Sequence, residues 1–252
     1  MPDKQLIRFY QELSTNAWPA KYYYLLNGWL ARISEGVTKR ANSIMPLTYY
    51  GDKLLKDIQI VEAIYTKNKL PVIFQLPDYF EPKNLLEILL ENGYKIIDET
   101  LVMTAKIKDM SDITINRDYS YQNTTEAKNE WFNSMSIFER GTQERIEGQK
   151  AIIRRILQPK SFFSTKQDKE IIGIGMAVLE QGNLGIFDML INPVFRRQGI
   201  AGSLIAKMVE WGRENSIHST YLCVQGDNQP AIALYKKVGL KECFRYRYLI
   251  KK

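Results

Sequence analysis

DMLINPVFRRQGIAGSLIAKMVEWGRENSIHSTYLCVQGDNQPAIALYKKVG, residues 188–239, decides how this chain is read. It leaves an apolar strand, passes through an Arg- and Gly-containing turn, and continues as a long amphipathic helix, a second apolar strand and a second helix. In Arg196-Arg197-Gln198-Gly199-Ile200-Ala201-Gly202, the small residues at 199, 201 and 202 let the backbone come close to a ligand. A helix starting there points free N–H groups and a partial positive charge at the same place, and two arginines add formal charge. Pyrophosphate is the natural guest, and a Gly-containing helix start flanked by solvated arginines is the plainer alternative. The chain has no G-K-[ST] phosphate loop and no G-x-G-x-x-G after an early strand, so those two nucleotide folds are excluded.

A second element narrows the choice: Asn228-x-x-Ala231-x-x-Leu234-Tyr235-x-x-x-Gly239-Leu240. On a helix, Asn228, Ala231 and Tyr235 fall on one face. That face can offer an amide, a gap and a phenol to one ligand.

Towards the N-terminus of this stretch, Phe162 to Thr165, Ile171 to Glu180 and Leu184 to Ile191 read as strands separated by turns at Gln167-Asp168 and Gln181-Gly182. Trp131 to Phe138 and Ile146 to Leu157 read as helices, and Ile113 to Ile115 as a first strand. Lys108 to Ser111 is the best linker. Beyond the stretch, Leu240 to Ile250 closes the second half as a strand. In the first half, Leu6, Phe9, Tyr10 and Leu13 recur at helical spacing. Tyr22 to Leu26, Gly28 to Ile33 and Arg40 to Met45 look like strands, and Asp52 is a plausible N-cap for a helix carrying Leu54, Leu55, Ile58, Val61 and Tyr65. VIFQL, residues 72–76, a helix from about Pro82 to Glu91 and a long strand after Gly93 complete it.

The two halves share this order. LLEILLENGYKIIDETLVMTAKI parallels AIALYKKVGLKECFRYRYLIKK with Gly93 matching Gly239; VIFQL matches YLCVQ, and the helix after Asp52 matches the helix after Ala201. The sequence therefore reads as two copies of one α/β unit with a mixed sheet, spanning residues 1–108 and 112–252.

Composition limits the function. The 252 residues are 45% hydrophobic and 25% charged, ordinary for a globular protein. No apolar run is long enough to cross a bilayer, and MPDKQLIRFYQEL is an amphipathic helix pattern without a signal-peptide core, so a cytoplasmic protein with no membrane partner is expected. Cys223 and Cys243 lack metal or redox spacing and read as free thiols, while a single histidine, His218, leaves no material for a His-based metal cluster or a Ser-His-Asp triad. No metal is expected. The net charge of +7 permits an anionic partner, but the basic residues are dispersed and form no nucleic-acid module, so no nucleic-acid partner is expected either.

The two motifs together resemble the GNAT superfamily of acyl-CoA-dependent N-acyltransferases. Its pyrophosphate motif, [RQ]-x-x-G-x-[GA], is matched by Arg196, Gly199 and Ala201, and its later N-x-x-A-x-x-[LF]-Y-x-x-x-G-F motif from Asn228 to Gly239, with Leu240 in place of the usual aromatic. The resemblance implies acetyl-CoA as co-substrate, with backbone groups of Met189, Leu190 and Ile191 along the pantetheine arm. Amides of Arg197, Gln198, Gly199, Ile200, Ala201 and Gly202 would hold the pyrophosphate, Asn228 would contact the pantetheine or its phosphate region, Ala231 would belong to the same cofactor site, and Tyr235 would be the acid for the departing thiolate. An amine, on a small molecule or a protein, would attack the thioester directly. Asp188, an acid in the otherwise apolar IFDMLI, is the candidate base, with a substrate-orienting role as its alternative; Glu180 and water-mediated deprotonation are others. The first half resembles the same fold without its cofactor site: Tyr49-Tyr50-Gly51-Asp52-Lys53 stands where the pyrophosphate motif would be, and Leu89 at the position of Tyr235. Polar Lys39, Arg40, Asn42 and Ser43 are candidates to face the cleft between halves. The other class of function open to these residues is an acyl-CoA sensor without turnover, and either a monomer or a homodimer is compatible with the sequence.

Overall fold

A single mixed sheet runs through the computed structural model, which describes residues 3–139 and 141–251. Met1, Pro2 and Lys252, the outermost residues of the two expected units, lie outside that description. The first half consists of α1 (Lys4–Asn16), β1 (Tyr22–Leu26), β2 (Trp29–Ile33), β3 (Ile44–Pro46), α2 (Leu54–Lys67), β4 (Val72–Pro77), α3 (Leu85–Glu91) and β5 (Lys95–Lys106). The second consists of β6 (Ser120–Thr124), α4 (Asn129–Glu139), α5 (Gln143–Arg155), β7 (Lys160–Gln167), β8 (Glu170–Glu180), β9 (Asn183–Ile191), α6 (Ile200–Glu214), β10 (Ser219–Gln225), α7 (Gln229–Lys237) and β11 (Lys241–Lys251).

The strand order is β1-β2-β3-β4-β11-β5-β10-β9-β8-β7-β6. β11, last in the chain, lies antiparallel between β4 and β5, and β5 lies antiparallel between β11 and β10. Each half's final strand is therefore flanked on both sides by strands of the other half, which is why the sheets of the two repeats merge. The repeat is visible in the hydrogen bonds as well. Tyr94 N–H donates to Leu89 O and Gly93 N–H to Leu90 O; in the second half Leu240 N–H donates to Tyr235 O and Gly239 N–H to Lys236 O. Both glycines have left-handed φ, +85° and +100°, where a side chain would be strained.

Side-chain alternation along the strands separates two packed faces. On one, Ile174, Met176, Phe187 and Tyr221 pack with α1, α4 and α5; on the other, Ala177, Ile186, Leu222 and Val224 pack with α6 and α7. α1 belongs to the first half but lies against the second: the Tyr10 and Tyr221 ring centroids are 5.6 Å apart, and Asn16 Nδ2 donates to Glu180 at 2.8 Å. Arg32 is fully buried without a carboxylate; its guanidinium donates to Ser43 Oγ and Gln75 Oε1, both at 2.6 Å, and burial lowers its pKa.

Several expected details differ. The strand expected from Arg40 starts only at Ile44, because Asn42 Oδ1 accepts from Ser34 and Gly36 N–H and its amide donates to Thr38 O, which folds Lys39–Ala41 into a short helical turn. Asp52 does not cap α2, which starts after Lys53 without a side-chain cap, and Leu55 is exposed. Ile113 to Ile115 are not a strand: Asn116 N–H donates to Ser203 Oγ and its amide to Gln198 O, holding that segment along the start of α6, so β6 is the first strand of the second half. α5 ends at Arg155, and Leu157 is exposed.

Candidate active site

The parallel ladder between β9 and β10 runs from Asn183↔Ser219 to Ile186↔Leu222 and stops there, although β9 continues to Ile191 and β10 to Gln225. The cause lies in β9. Between Phe187, opposite Met176, and Leu190, opposite Ile174, two residues of β9 face one of β8. This is a β-bulge, and Asp188 takes it up with φ +49°. The bulge turns β9 away from β10 and leaves one edge unpaired. Asn192 N–H donates to Ile172 O at 2.9 Å, so by alternation the backbone groups of Ile191 and Met189 face the opening. Ile191 O accepts from Arg196 Nε at 3.3 Å. Gly175 sits under the bulge, where an added Cβ would lie 2.7 Å from Met189 Sδ and 2.3 Å from Met208 Cε, so a larger residue there would displace both methionine side chains.

Beside this opening is a cleft of about 700 Å³. Met189, Leu190, Ile191, Arg196, Arg197, Gly199, Ile200, Ala201, Gly202, Asn228, Ala231 and Tyr235, all singled out from the sequence, line it. The turn into α6 is built from alternating left-handed residues, Arg197 at φ +67° and Gly199 at φ +79° as N-cap. No atom lies within 4 Å of where a Cβ at Gly199 would stand, so the helix end opens onto free space. This concave run of N–H groups at a helix N-terminus suits an anion of pyrophosphate size. Gln198 is the exception among the expected residues: its side chain turns away and accepts from the Tyr119 hydroxyl. Asn228 caps α7, its Oδ1 accepting from Ala231 N–H at 3.2 Å, which leaves its NH₂ for a ligand. Tyr235 is buried at the cleft wall, and burial pushes its phenol up to about 12, so it stays protonated at neutral pH.

Asp188 points to the other face of the sheet, that of α1, α4 and α5. The residue is half-buried, but Oδ2 is sealed from solvent and has no hydrogen-bond partner among the described residues. Burial pushes its carboxyl up to about 7; Glu139 raises it further, and Arg40 and Arg145 oppose. Glu180, the other candidate, has Oε1 on Asn16 and a buried, unpartnered Oε2. Glu139 and Trp18, both near Asp188, were not identified from the sequence. Trp18 ends an N-terminal helix of the other half, and only the fold brings it to Phe187, ring centroids 6.2 Å apart.

The matching place in the first half is filled. Asp57, in the first turn of α2, accepts from the Tyr49 hydroxyl at 2.8 Å and Asn27 Nδ2 at 2.9 Å, and a Cβ at Gly51 would meet Asp57 Oδ2 at 2.6 Å. A carboxylate already occupies the helix end. Leu89, in the place of Tyr235, is fully buried. A larger hollow of about 900 Å³, between α1 and the ends of β5 and β10, is lined by Tyr10, Lys106, Arg213 and His218 and contains no residue of the 196–202 turn or of the motif from Asn228 to Gly239.

These features define a protein of the GCN5-related N-acetyltransferase type. The chain belongs to the family described as "Probable histone acetyltransferase Rv0428c C-terminal", whose profile matches residues 5–249. It is 29% identical over 248 residues to the uncharacterized N-acetyltransferase YobR of Bacillus subtilis, covering 98% of this chain and 99% of that one. In fold it is similar to a GCN5-related N-acetyltransferase from Kribbella flavida, at TM-score 0.74 and 11% identity over 100% of this chain and 96% of the other. It also resembles a tandem GNAT protein from the clavulanic acid biosynthesis pathway, at TM-score 0.60 and 10% identity over 78% and 67% of the two chains. The protein is thus an N-acetyltransferase of the GNAT type, an acyltransferase whose class acts on amines. No described helix is long and apolar enough to cross a membrane, and no group of three or more metal-ligating side chains occurs among the described residues.

Proposed function

We propose that the chain transfers an acetyl group from acetyl-CoA to a primary amine by direct attack, using the second half alone for chemistry. The observation that carries this reading is the bulge-opened gap between β9 and β10, with an anion-binding helix end and Tyr235 on one side and the unpartnered Asp188 carboxyl on the other. N–H groups from Arg197 to Gly202 hold the pyrophosphate, and the unpaired edge at Met189 and Ile191 takes the pantetheine arm as an added strand. Asn228 and Ala231 border that arm.

The substrate ammonium first gives a proton to Asp188. The amine lone pair then attacks the thioester carbonyl carbon, forming the N–C bond, while a backbone N–H of residues 189–191 stabilises the oxyanion. On collapse the C–S bond breaks, its electron pair leaves with sulfur, and the Tyr235 hydroxyl protonates the thiolate. The nitrogen loses its remaining extra proton to solvent, Asp188 gives up the proton it took, and Tyr235 is reprotonated from solvent. Residues 1–108 and 112–252 are the two units in this reading, the first shaping access to the site and the whole working in the cytoplasm, as monomer or homodimer.

The test is thiol release from acetyl-CoA with a panel of amines. Amine-dependent release supports the reading; tight acetyl-CoA binding with no release for any amine would favour an acyl-CoA sensor.

A further inference from the structure

Arg40, on the short helical turn before β3, is a charged side chain that the transfer scheme leaves without a task. Its guanidinium carbon lies 5.7 Å from the Trp18 ring and 5.9 Å from the Phe187 ring. Nε is shielded from solvent and has no partner, and among the described residues the guanidinium makes no ion pair with a carboxylate, the Tyr246 hydroxyl being its polar neighbour. Arg32 is the instructive contrast: fully buried, it is satisfied by Ser43 and Gln75, whereas Arg40 is half-buried. A guanidinium keeps its charge in proteins and has several N–H groups to satisfy, so leaving it enclosed and unpaired is costly unless something else completes it.

Phe187, against which Arg40 packs, is the residue immediately before Asp188, whose Oδ2 is also buried and unpartnered. Arg40 and Asp188 feel each other's charge, yet no nitrogen of one comes within bridging distance of an oxygen of the other. Two opposite charges that feel each other without forming an ion pair make a dipolar site. Such a site suits a ligand with a cationic end and an anionic end. Asp188 lies beside the opening between β9 and β10, so the cationic end is the reacting amine and the anionic end lies toward the first half. A monoanion fits better than a phosphate dianion, because Asp188, Glu139 and Glu180 already make this face acidic. The lysine of a folded protein would bring an amine to Asp188 but nothing for Arg40.

Resting on the transferase reading above, we infer that the acceptor is a small aminocarboxylate, with Arg40 of the first half binding its carboxylate while Asp188 of the second receives its amine. The flat fork of Arg40 matches a carboxylate, and the rings of Trp18 and Phe187 hold that fork in place. The first half then has a stated role, since it supplies the residue that selects the acceptor.

The experiment uses the full chain, acetyl-CoA and matched acceptor pairs: glycine and glycinamide, β-alanine and β-alaninamide, phenylalanine and phenylalaninamide, and a lysine-containing peptide with both ends blocked. At least one acid is expected to exceed its amide about 100-fold in kcat/KM. Arg40→Met is expected to remove about 100-fold for that acid, mostly through KM, with a far smaller change for the amide that reflects the loss of the Arg40 charge near Asp188, and with the KM for acetyl-CoA unchanged; Arg40→Lys restores part of the acid-specific loss. Acids and amides used equally by the unmodified chain, the blocked peptide used best, or an equal loss for acid and amide in Arg40→Met would each overturn the inference while leaving the transferase reading intact. Absence of release with every amine, despite acetyl-CoA binding, overturns both.

Discussion

Replacing Asp188 with Asn should make the protein more stable at alkaline pH while stopping its chemistry. The carboxyl is raised from 3.8 to about 7, first by burial and then by Glu139, with Arg40 and Arg145 pulling the other way. The folded chain therefore holds this proton more tightly than the unfolded chain does. The contribution of Asp188 to stability is fully present below 3.8 and is lost as pH rises through about 7. The whole gap corresponds to roughly 4 kcal/mol, and the partial exposure of the residue reduces the expected effect to about 2 kcal/mol. Asn keeps the shape and removes the charge. Urea unfolding should show Asp188→Asn more stable than the unmodified protein by about 1 kcal/mol near pH 4.5 and by about 2 kcal/mol at pH 8.5. Transfer should fall about 100-fold or more, and the rise of kcat/KM through about pH 7 in the unmodified protein should vanish in the variant. A variant destabilised to the same extent at both pH values, or an unmodified protein whose kcat/KM is flat between pH 6 and 8, would refute the reasoning.

The remaining expectations follow from other parts of the fold. Tyr235→Phe should lower kcat about 100-fold with acetyl-CoA binding changed less than twofold, since in the proposed scheme the hydroxyl protonates the leaving thiolate and the ring packs unchanged; steady-state kinetics and calorimetric titration check this. Gly199→Ala should weaken acetyl-CoA binding about tenfold and cost about 1 kcal/mol of stability, because φ is +79° although the space for a methyl is open. Residues 1–108 and 112–252 produced separately should each fail to fold and should recover acetyl-CoA binding when co-expressed, because β5 and β11 have both their neighbours in the other half; a folded, binding-competent 112–252 fragment by circular dichroism and titration would disprove this. Arg32→Met should destabilise the chain by about 2 to 4 kcal/mol at every pH from 5 to 8, since it orphans Gln75 and Ser43 in a buried site.

Much of the site was legible from residues 188–239 because its parts are local. A helix start, an N-cap asparagine and a tyrosine two turns later keep their relation wherever the segment is placed. The bulge at Asp188 left a weaker trace, an acid in an apolar strand, and its left-handed φ follows from register against β8, which the strand pattern alone does not fix. The repeat was legible through Gly93 and Gly239, but the exchange of β5 and β11 was not. Both are long alternating strands able to pair on either edge, and the choice between partners depends on contacts distant in sequence. For the same reason Trp18 and Glu139 carried no local sign of lying near Asp188. The loop around Arg40 was read as strand because its fold depends on the side chain of Asn42 rather than on hydrophobic periodicity.

The most direct test is a crystal structure with coenzyme A. The pyrophosphate should lie on the N–H groups of residues 197–202, the pantetheine arm along Met189 and Ile191, and the sulfur within reach of the Tyr235 hydroxyl. Coenzyme A at the Tyr49–Lys53 loop of the first half, or in the hollow beside α1, would contradict the assignment of the site.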